Sequence, residues 1–150
     1  MGRPVPRRPY KLLLAGALLA LAILPSGTAH AARIDIGFRP GGDVYTHIAQ
    51  ALDMLRSGRS YRVTGDQYSA AAIQVVYLKS KMPGRICAAR GATLNFHLGY
   101  DKDTGSSMQK PDIVWVKLMG LQTLRRLGPL PEYGKGFKTV RASDYLGLCK

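Results

Sequence analysis

From Ser69 to Leu78 the chain is apolar on nearly every side. Ala70, Ala71, Ala72, Ile73, Val75, Val76 and Leu78 leave a helix here without a broad polar face. Such a helix belongs inside a fold, so other elements must wall it in. Segments with strand and helix patterning flank it. Arg33 to Phe38 alternates as a strand does, and Pro40-Gly41-Gly42 ends it. Asp43 is suited to cap a helix that runs to about Ser57 and ends at Gly58. Val44, Ile48, Ala51, Leu52 and Leu55 give that helix one apolar face. Ser60 to Thr64 reads as a second strand, and Arg85 to Ala88 and Thr93 to Leu98 as two more. The order strand–helix–strand–helix–strand predicts an α/β domain with right-handed crossovers.

Beyond Leu98 the pattern loosens. Tyr100 to Lys110 reads as a polar, flexible segment. Pro111 suits the first turn of one long helix reaching about Leu127. Pro129, Pro131 and Gly134-Lys135-Gly136 make a loop, Thr139 to Arg141 a last short strand, and Ser143 a cap for a terminal turn.

The first 31 residues read as a secretory signal. Arg3, Arg7, Arg8 and Lys11 precede 13 apolar or glycine residues from Leu12 to Leu24, and Ala29-His30-Ala31 is a small-x-small cleavage pattern. A membrane-spanning helix needs roughly 20 apolar residues. Cleavage near Ala31 leaves residues 32–150 as one small domain, exported to a periplasm or beyond. That domain carries 18 Lys and Arg against 9 Asp and Glu. In an exported protein this balance points to anionic surfaces such as an envelope, and the scattered basic residues do not point to nucleic acid. Two cysteines remain, Cys87 and Cys149. An oxidising compartment permits a disulfide between them; two unpaired buried thiols are the alternative. Neither has a metal-ligand spacing, and the sequence calls for no metal and no cofactor.

Three short segments carry residues with chemistry. Gly41-Gly42 lies at a strand end, Ser69 opens the apolar helix, and His97 closes a strand. A helix N-terminus presents free N–H groups and partial positive charge, which favours an alkoxide at Ser69 and places the Ala70 N–H for an oxyanion. Glycine at 41 and 42 lets the backbone come close enough to supply a second donor. His97 then suits a general base. Each residue also has a plainer reading: Ser69 as a helix cap, His97 as a satisfied strand-end histidine, the glycines as a tight turn.

Taken in order, Pro40-Gly41-Gly42, Gly65-x-x-x-Ser69-Ala70 and Arg85-Ile86-Cys87 through Gly91-Ala92 to Phe96-His97 resemble the ClpP/crotonase-like superfamily, and within it exported bacterial ClpP-like proteins. The resemblance covers roughly residues 34–99. Val140 to Leu146 followed by Cys149 is a weaker echo. It implies a shortened ClpP/crotonase-like β-α-β domain with a C-terminal helical segment. It implies a serine hydrolase or peptidase with Ser69 as nucleophile, His97 as base and Gly41, Gly42 and Ala70 at the oxyanion. Its partners would be a peptide or small acyl substrate and, in an oligomer, further copies of the chain.

The chain departs from that pattern in four places. Gln67 and Ala71 stand where exported relatives carry cysteines, and Arg39 stands where serine is usual. No acid occurs between Tyr133 and Arg141, where the third triad member is expected, leaving Asp101, Asp112 and Asp144 as substitutes. Cleavage at Ala31 leaves eight residues before Pro40, where the family has a further strand–helix unit. A non-catalytic envelope protein that keeps the fold and binds through a cationic surface is the rival expectation. An unrelated small secreted α/β domain is a third.

Overall fold

The structure, a computed structural model, describes residues 32–101 and 103–150. The predicted secretory signal lies outside them. Among the described residues no helix is long and apolar enough to cross a membrane.

Strand β1 (Ile34–Ile36) leads to helix α1 (Val44–Arg56) and strand β2 (Tyr61–Val63). Asp43 caps α1: its carboxylate accepts from the Thr46 N–H at 2.8 Å and from the Thr46 hydroxyl at 3.0 Å. Ala51 is buried, and Val44, Met54 and Leu55 pack on the core. Leu52, expected on that face, is 38% exposed. Each residue turns about 100° around a helix, which carries position 52 to the edge of the stripe and brings Met54 inward.

A two-residue strand that the sequence does not announce, β3 (Gln67–Tyr68), precedes helix α2 (Ala70–Lys81). Helix α2 is the apolar run, and its residues from Ala70 to Val76 are all buried. It packs on α1 and touches strands of both sheets, β3, β4 (Ile86–Ala88) and β5 (Thr93–Phe96). This central burial is what the pattern demanded. Burying a Val, Leu or Ile side chain contributes about 1.5–3 kcal/mol, so this helix is a principal source of stability.

After β5 the chain forms α3 (Ile113–Met119), α4 (Leu121–Leu127), β6 (Lys138–Arg141) and α5 (Ser143–Leu146). The single helix predicted from Pro111 to Leu127 is instead two, parted at Gly120 with φ 80° and ψ 146°. Glycine reaches that conformation without a Cβ clash, so the first helix stops there and the second starts at once. The cap predicted at Ser143 lies one residue inside α5, with Ala142 at the cap position. The segment expected to be flexible folds back on itself: Met108 N–H donates to Gly99 O at 2.9 Å and Asp101 N–H to Ser106 O at 2.9 Å.

Among the described residues the strands form two small sheets in a mixed α/β architecture with five helices. In the first, β1, β2 and β4 are parallel, with Ile34 opposite Tyr61 and Tyr61 opposite Ile86. Leu148 bridges Ala88 and extends that sheet at β4. In the second, β3 runs parallel to β5, and β6 antiparallel to β5.

Cys87 and Cys149 form a disulfide, with Cα atoms 5.0 Å apart and a sequence separation of 62. Closing a loop of that length removes chain entropy worth roughly 4 kcal/mol from the unfolded state. The bond favours the oxidising-compartment reading over buried free thiols. On the outer face of the first sheet, Arg62 grips Asp35 through two bonds of 2.8 Å. The hydrogen bond from Arg62 holds the Asp35 carboxyl below its ordinary pKa.

Candidate functional site

The second sheet brings the three segments of the sequence argument to one edge. Beyond β1 the backbone crosses to β3: Arg39 N–H donates to Asp66 O at 3.0 Å and Tyr68 N–H to Arg39 O at 3.1 Å. Arg39 thus lies parallel to Gln67, while β5 lies parallel on the other side of β3. Three parallel neighbours, 39, 67–68 and 93–96, end at the same edge. The residues just past their ends are Gly41-Gly42, Ser69 and His97. In α/β sheets the carboxyl ends of parallel strands are where ligands bind.

Ser69 sits on a sharp turn from β3 into α2, with φ 50° and ψ −116°. It is the only non-glycine residue at positive φ among the described residues. Its N–H is held by Asn95 O at 2.7 Å, which ties the turn to β5. The plain cap reading fails on geometry: the Ser69 side chain makes no capping bond, whereas those of Asp43 and Asp112 do. A strained non-glycine residue at a strand-to-helix turn is a feature of functional sites.

Gly41 packs on this turn. A Cβ built on Gly41 would stand 2.7 Å from Ser69 Cβ and 3.4 Å from Ser69 Oγ. No side chain fits at that position, so the backbone itself approaches the serine. Among the described residues the N–H groups of Gly41, Gly42 and Ala70 donate to no protein acceptor. The expected oxyanion donors are therefore free, one on the helix N-terminus and two on the turn beside it.

His97 is 7% exposed. Its Nδ1 lies 2.6 Å from Leu98 O. A carbonyl only accepts, so Nδ1 carries a proton; in the neutral form of the ring the lone pair then lies on Nε2. The rings of Tyr133 and Phe137 stand edge-on to it at 5.2 and 5.0 Å. Leu98 N–H in turn donates to Pro131 O at 2.7 Å, which fastens the loop that carries Tyr133. No hydrogen bond joins His97 to Ser69 or to a carboxylate among the described residues. Of the three acids proposed as substitutes, Asp144 pairs with Arg141, Asp112 caps α3, and Asp101 accepts from the N–H of Asp103. The Leu98 carbonyl, and no carboxylate among the described residues, holds the His97 ring.

Ser69 and His97 both line a cleft of about 990 Å³, bounded on the turn side by Gly41 and Gly42. Its walls are aromatic: Tyr45, Tyr68, Tyr100, Trp115, Tyr133 and Phe137. Tyr68 meets Phe137 edge-on at 5.0 Å, and Tyr100 stacks on Tyr133 at 5.2 Å. These walls are not legible in the sequence, because they come from five separate segments that only the fold assembles. A separate recess of about 550 Å³ shares only Gly41 with the cleft and is lined by Arg39, His47 and Gln50. There Arg39 and His47 both bond Gln74 Oε1, at 3.3 and 3.1 Å, so His47 is satisfied away from the cleft.

Gln67 and Ala71, on either side of Ser69, are both fully buried. Gln67 Nε2 donates to Gly37 O at 2.6 Å and to Gly65 O at 3.0 Å. It pins the end of β1 to the turn before β3, a structural duty at the base of the site. Among the described residues no cluster of His, Cys, Asp and Glu has the makings of a metal site. Compared with known proteins, the chain matches no protein family, no curated protein and no solved structure.

Proposed function

We propose that this protein is an exported serine hydrolase of the ClpP/crotonase-like type, acting on a peptide or a small acyl compound. The observation that carries the reading is the Ser69 turn. A strained serine between a parallel strand and a buried helix lies against a glycine backbone with unused N–H groups, in a cleft that also holds a buried histidine.

The chemistry follows from those positions. Ser69 Oγ attacks the substrate carbonyl, and its proton passes to His97 Nε2. The oxyanion of the tetrahedral intermediate is held by N–H groups of Ala70 and the Gly41-Gly42 turn, each worth a few kcal/mol, about 3, in the transition state. His97 gives the proton to the leaving group, an acyl-serine remains, and water activated by the same histidine releases the acid. Substrate closure brings His97 to Ser69, since hydrogen bonds of this kind tighten in the complex.

The test is labelling of the purified protein by a fluorophosphonate probe. Ser69-dependent labelling, lost in Ser69→Ala, is the expected result. A folded protein that takes no label at Ser69 rejects the reading. The second reading, a binding protein of the same fold, is favoured by the absence of a carboxylate on His97. It predicts unlabelled protein that is retained on anionic vesicles and released by salt.

A further inference from the structure

Helix α2 carries one side chain that an apolar core does not call for. Gln74 is 1% exposed, in a run from Ala70 to Val76 that is otherwise Ala, Ile and Val. Burying an amide is unfavourable unless its polar atoms are bonded. Gln74 Oε1 lies 3.3 Å from Arg39 Nη1 and 3.1 Å from His47 Nδ1, and Nε2 lies 3.7 Å from Met54 Sδ. A guanidinium only donates and a thioether accepts, so these neighbours fix which way the amide faces. Oε1 spends both lone pairs on them, and His47 Nδ1 carries the proton that reaches it.

The two donors stand on either side of one turn. Arg39 immediately precedes Pro40-Gly41-Gly42, and His47 lies in α1 just after it. His47 Nε2 is 3.7 Å from where a Cβ on Gly42 would stand, so the ring backs that glycine. The N–H groups of Gly41 and Gly42 bond no protein acceptor among the described residues, so the turn takes its position from its flanks and from its contact with Ser69. Both flanks end on a single oxygen atom. Gln74 is not among the residues that line the cleft; Arg39 and His47 line the separate recess, which shares only Gly41 with it. Ser69 stands at the N-terminus of the same helix, five residues or about 7.5 Å of rise before Gln74. The serine and the brace for the glycine turn are therefore carried by one element.

We infer that Gln74 is a positioning residue for the oxyanion turn. By holding Arg39 and His47 it sets where the Gly41 and Gly42 N–H groups point relative to Ser69. The inference rests on the proposed hydrolase, in which those groups hold the oxyanion, and adds to it a part that lies in the core.

The experiment follows fluorophosphonate labelling over a range of probe concentrations, which separates the rate constant for bond formation from probe affinity and from the fraction of protein that reacts. Gln74→Leu keeps nearly the size and removes the acceptor. Its rate constant is expected to fall at least about tenfold, with probe affinity and reactive fraction unchanged. Gln74→Glu retains an acceptor for both donors and is expected to stay within about threefold of wild type. A merely structural role would lower the unfolding midpoint and the reactive fraction and leave the rate constant alone. His47→Ala, at a half-buried position, should slow labelling by about threefold or more and serves if Gln74→Leu melts.

Backbone 15N relaxation reads the turn without the probe. Order parameters of Gly41 and Gly42 are expected near about 0.85 in wild type and Gln74→Glu, and below about 0.6 in Gln74→Leu or, if that variant melts, in His47→Ala. An unchanged rate constant in a folded variant that lacks the contact, a loss that Gln74→Glu does not restore, or Gly41 and Gly42 amides unaltered in shift and order each overturns the inference. Labelling of wild type and Gln74→Leu at one rate rejects the inference and leaves the hydrolase standing. Wild type that takes no label rejects the hydrolase, and the relaxation measurement then decides whether Gln74 orders the turn.

Discussion

Gly41 and Ser69 touch so closely that a methyl group on the first would stand 2.7 Å from the Cβ of the second. Gly41→Ala must therefore push the turn and the serine apart. Overpacking of this kind costs about 1–3 kcal/mol. The expected outcome is a lower unfolding midpoint together with loss of most fluorophosphonate labelling. Retained labelling in the alanine variant would show that the turn does not set the serine.

Ser69 itself holds a backbone conformation that costs about 1–3 kcal/mol in a non-glycine residue. Ser69→Gly relieves that strain and adds freedom to the unfolded chain, which offsets part of the gain. We expect a net stabilisation of about 1 kcal/mol in urea unfolding, with labelling abolished. A site maintained against stability is the signature of function, and a destabilised Ser69→Gly protein would argue that the turn is merely structural.

How far the site could be read from sequence depends on how local each signal is. The α1 cap at Asp43, the apolar α2 run and the cysteine pair are each written in a few residues, and the structure keeps all three. The break at Gly120 is hidden because one glycine inside a helical pattern costs only about 1 kcal/mol, so a pattern continues through it. Strand β3 has two residues and no periodicity to detect. The aromatic walls were invisible, since Tyr45, Tyr68, Tyr100 and Tyr133 meet only after the fold has formed. The φ of Ser69 belongs to the turn between two elements and not to the serine's own preference.

The proposed mechanism makes His97 the base, with its Nδ1 against Leu98 O. His97→Gln keeps a polar group of similar size and removes the basic nitrogen. The rate of fluorophosphonate labelling is expected to fall at least about 100-fold, with the unfolding midpoint little changed. An unaltered labelling rate would remove His97 from the mechanism.

The disulfide closes a long loop and should matter most to the unfolded state. Replacing both Cys87 and Cys149 by serine is expected to cost about 2–4 kcal/mol. Mass analysis of the wild-type protein under non-reducing conditions should find both thiols blocked. Two free thiols in protein purified without reductant would contradict the structure.

Tyr145 provides a check on the C-terminal packing. Burial raises its pKa above 10.0, Arg126 opposes that rise and Asp144 adds to it. The folded chain thus holds the phenol proton more tightly than the unfolded chain. That contribution is fully present below the unfolded pKa and is lost as pH rises through the folded value. Wild type should lose more stability than Tyr145→Phe between pH values of about 9 and 11, measured by urea unfolding. Parallel declines in the two proteins would show that the phenol is not desolvated.

Helix α2 has one further consequence. The serine stands on the N-terminus of the most deeply buried element in the domain. It cannot shift without disturbing the packing that holds the protein folded. In the proposed hydrolase, adaptation to different substrates would therefore fall to the cleft-lining loop residues Tyr100, Tyr133 and Phe137. On that reading, reactivity and selectivity would be mounted on separate parts, one rigid and one replaceable. Exchange of those residues should retune what is recognised while leaving the reactive frame intact.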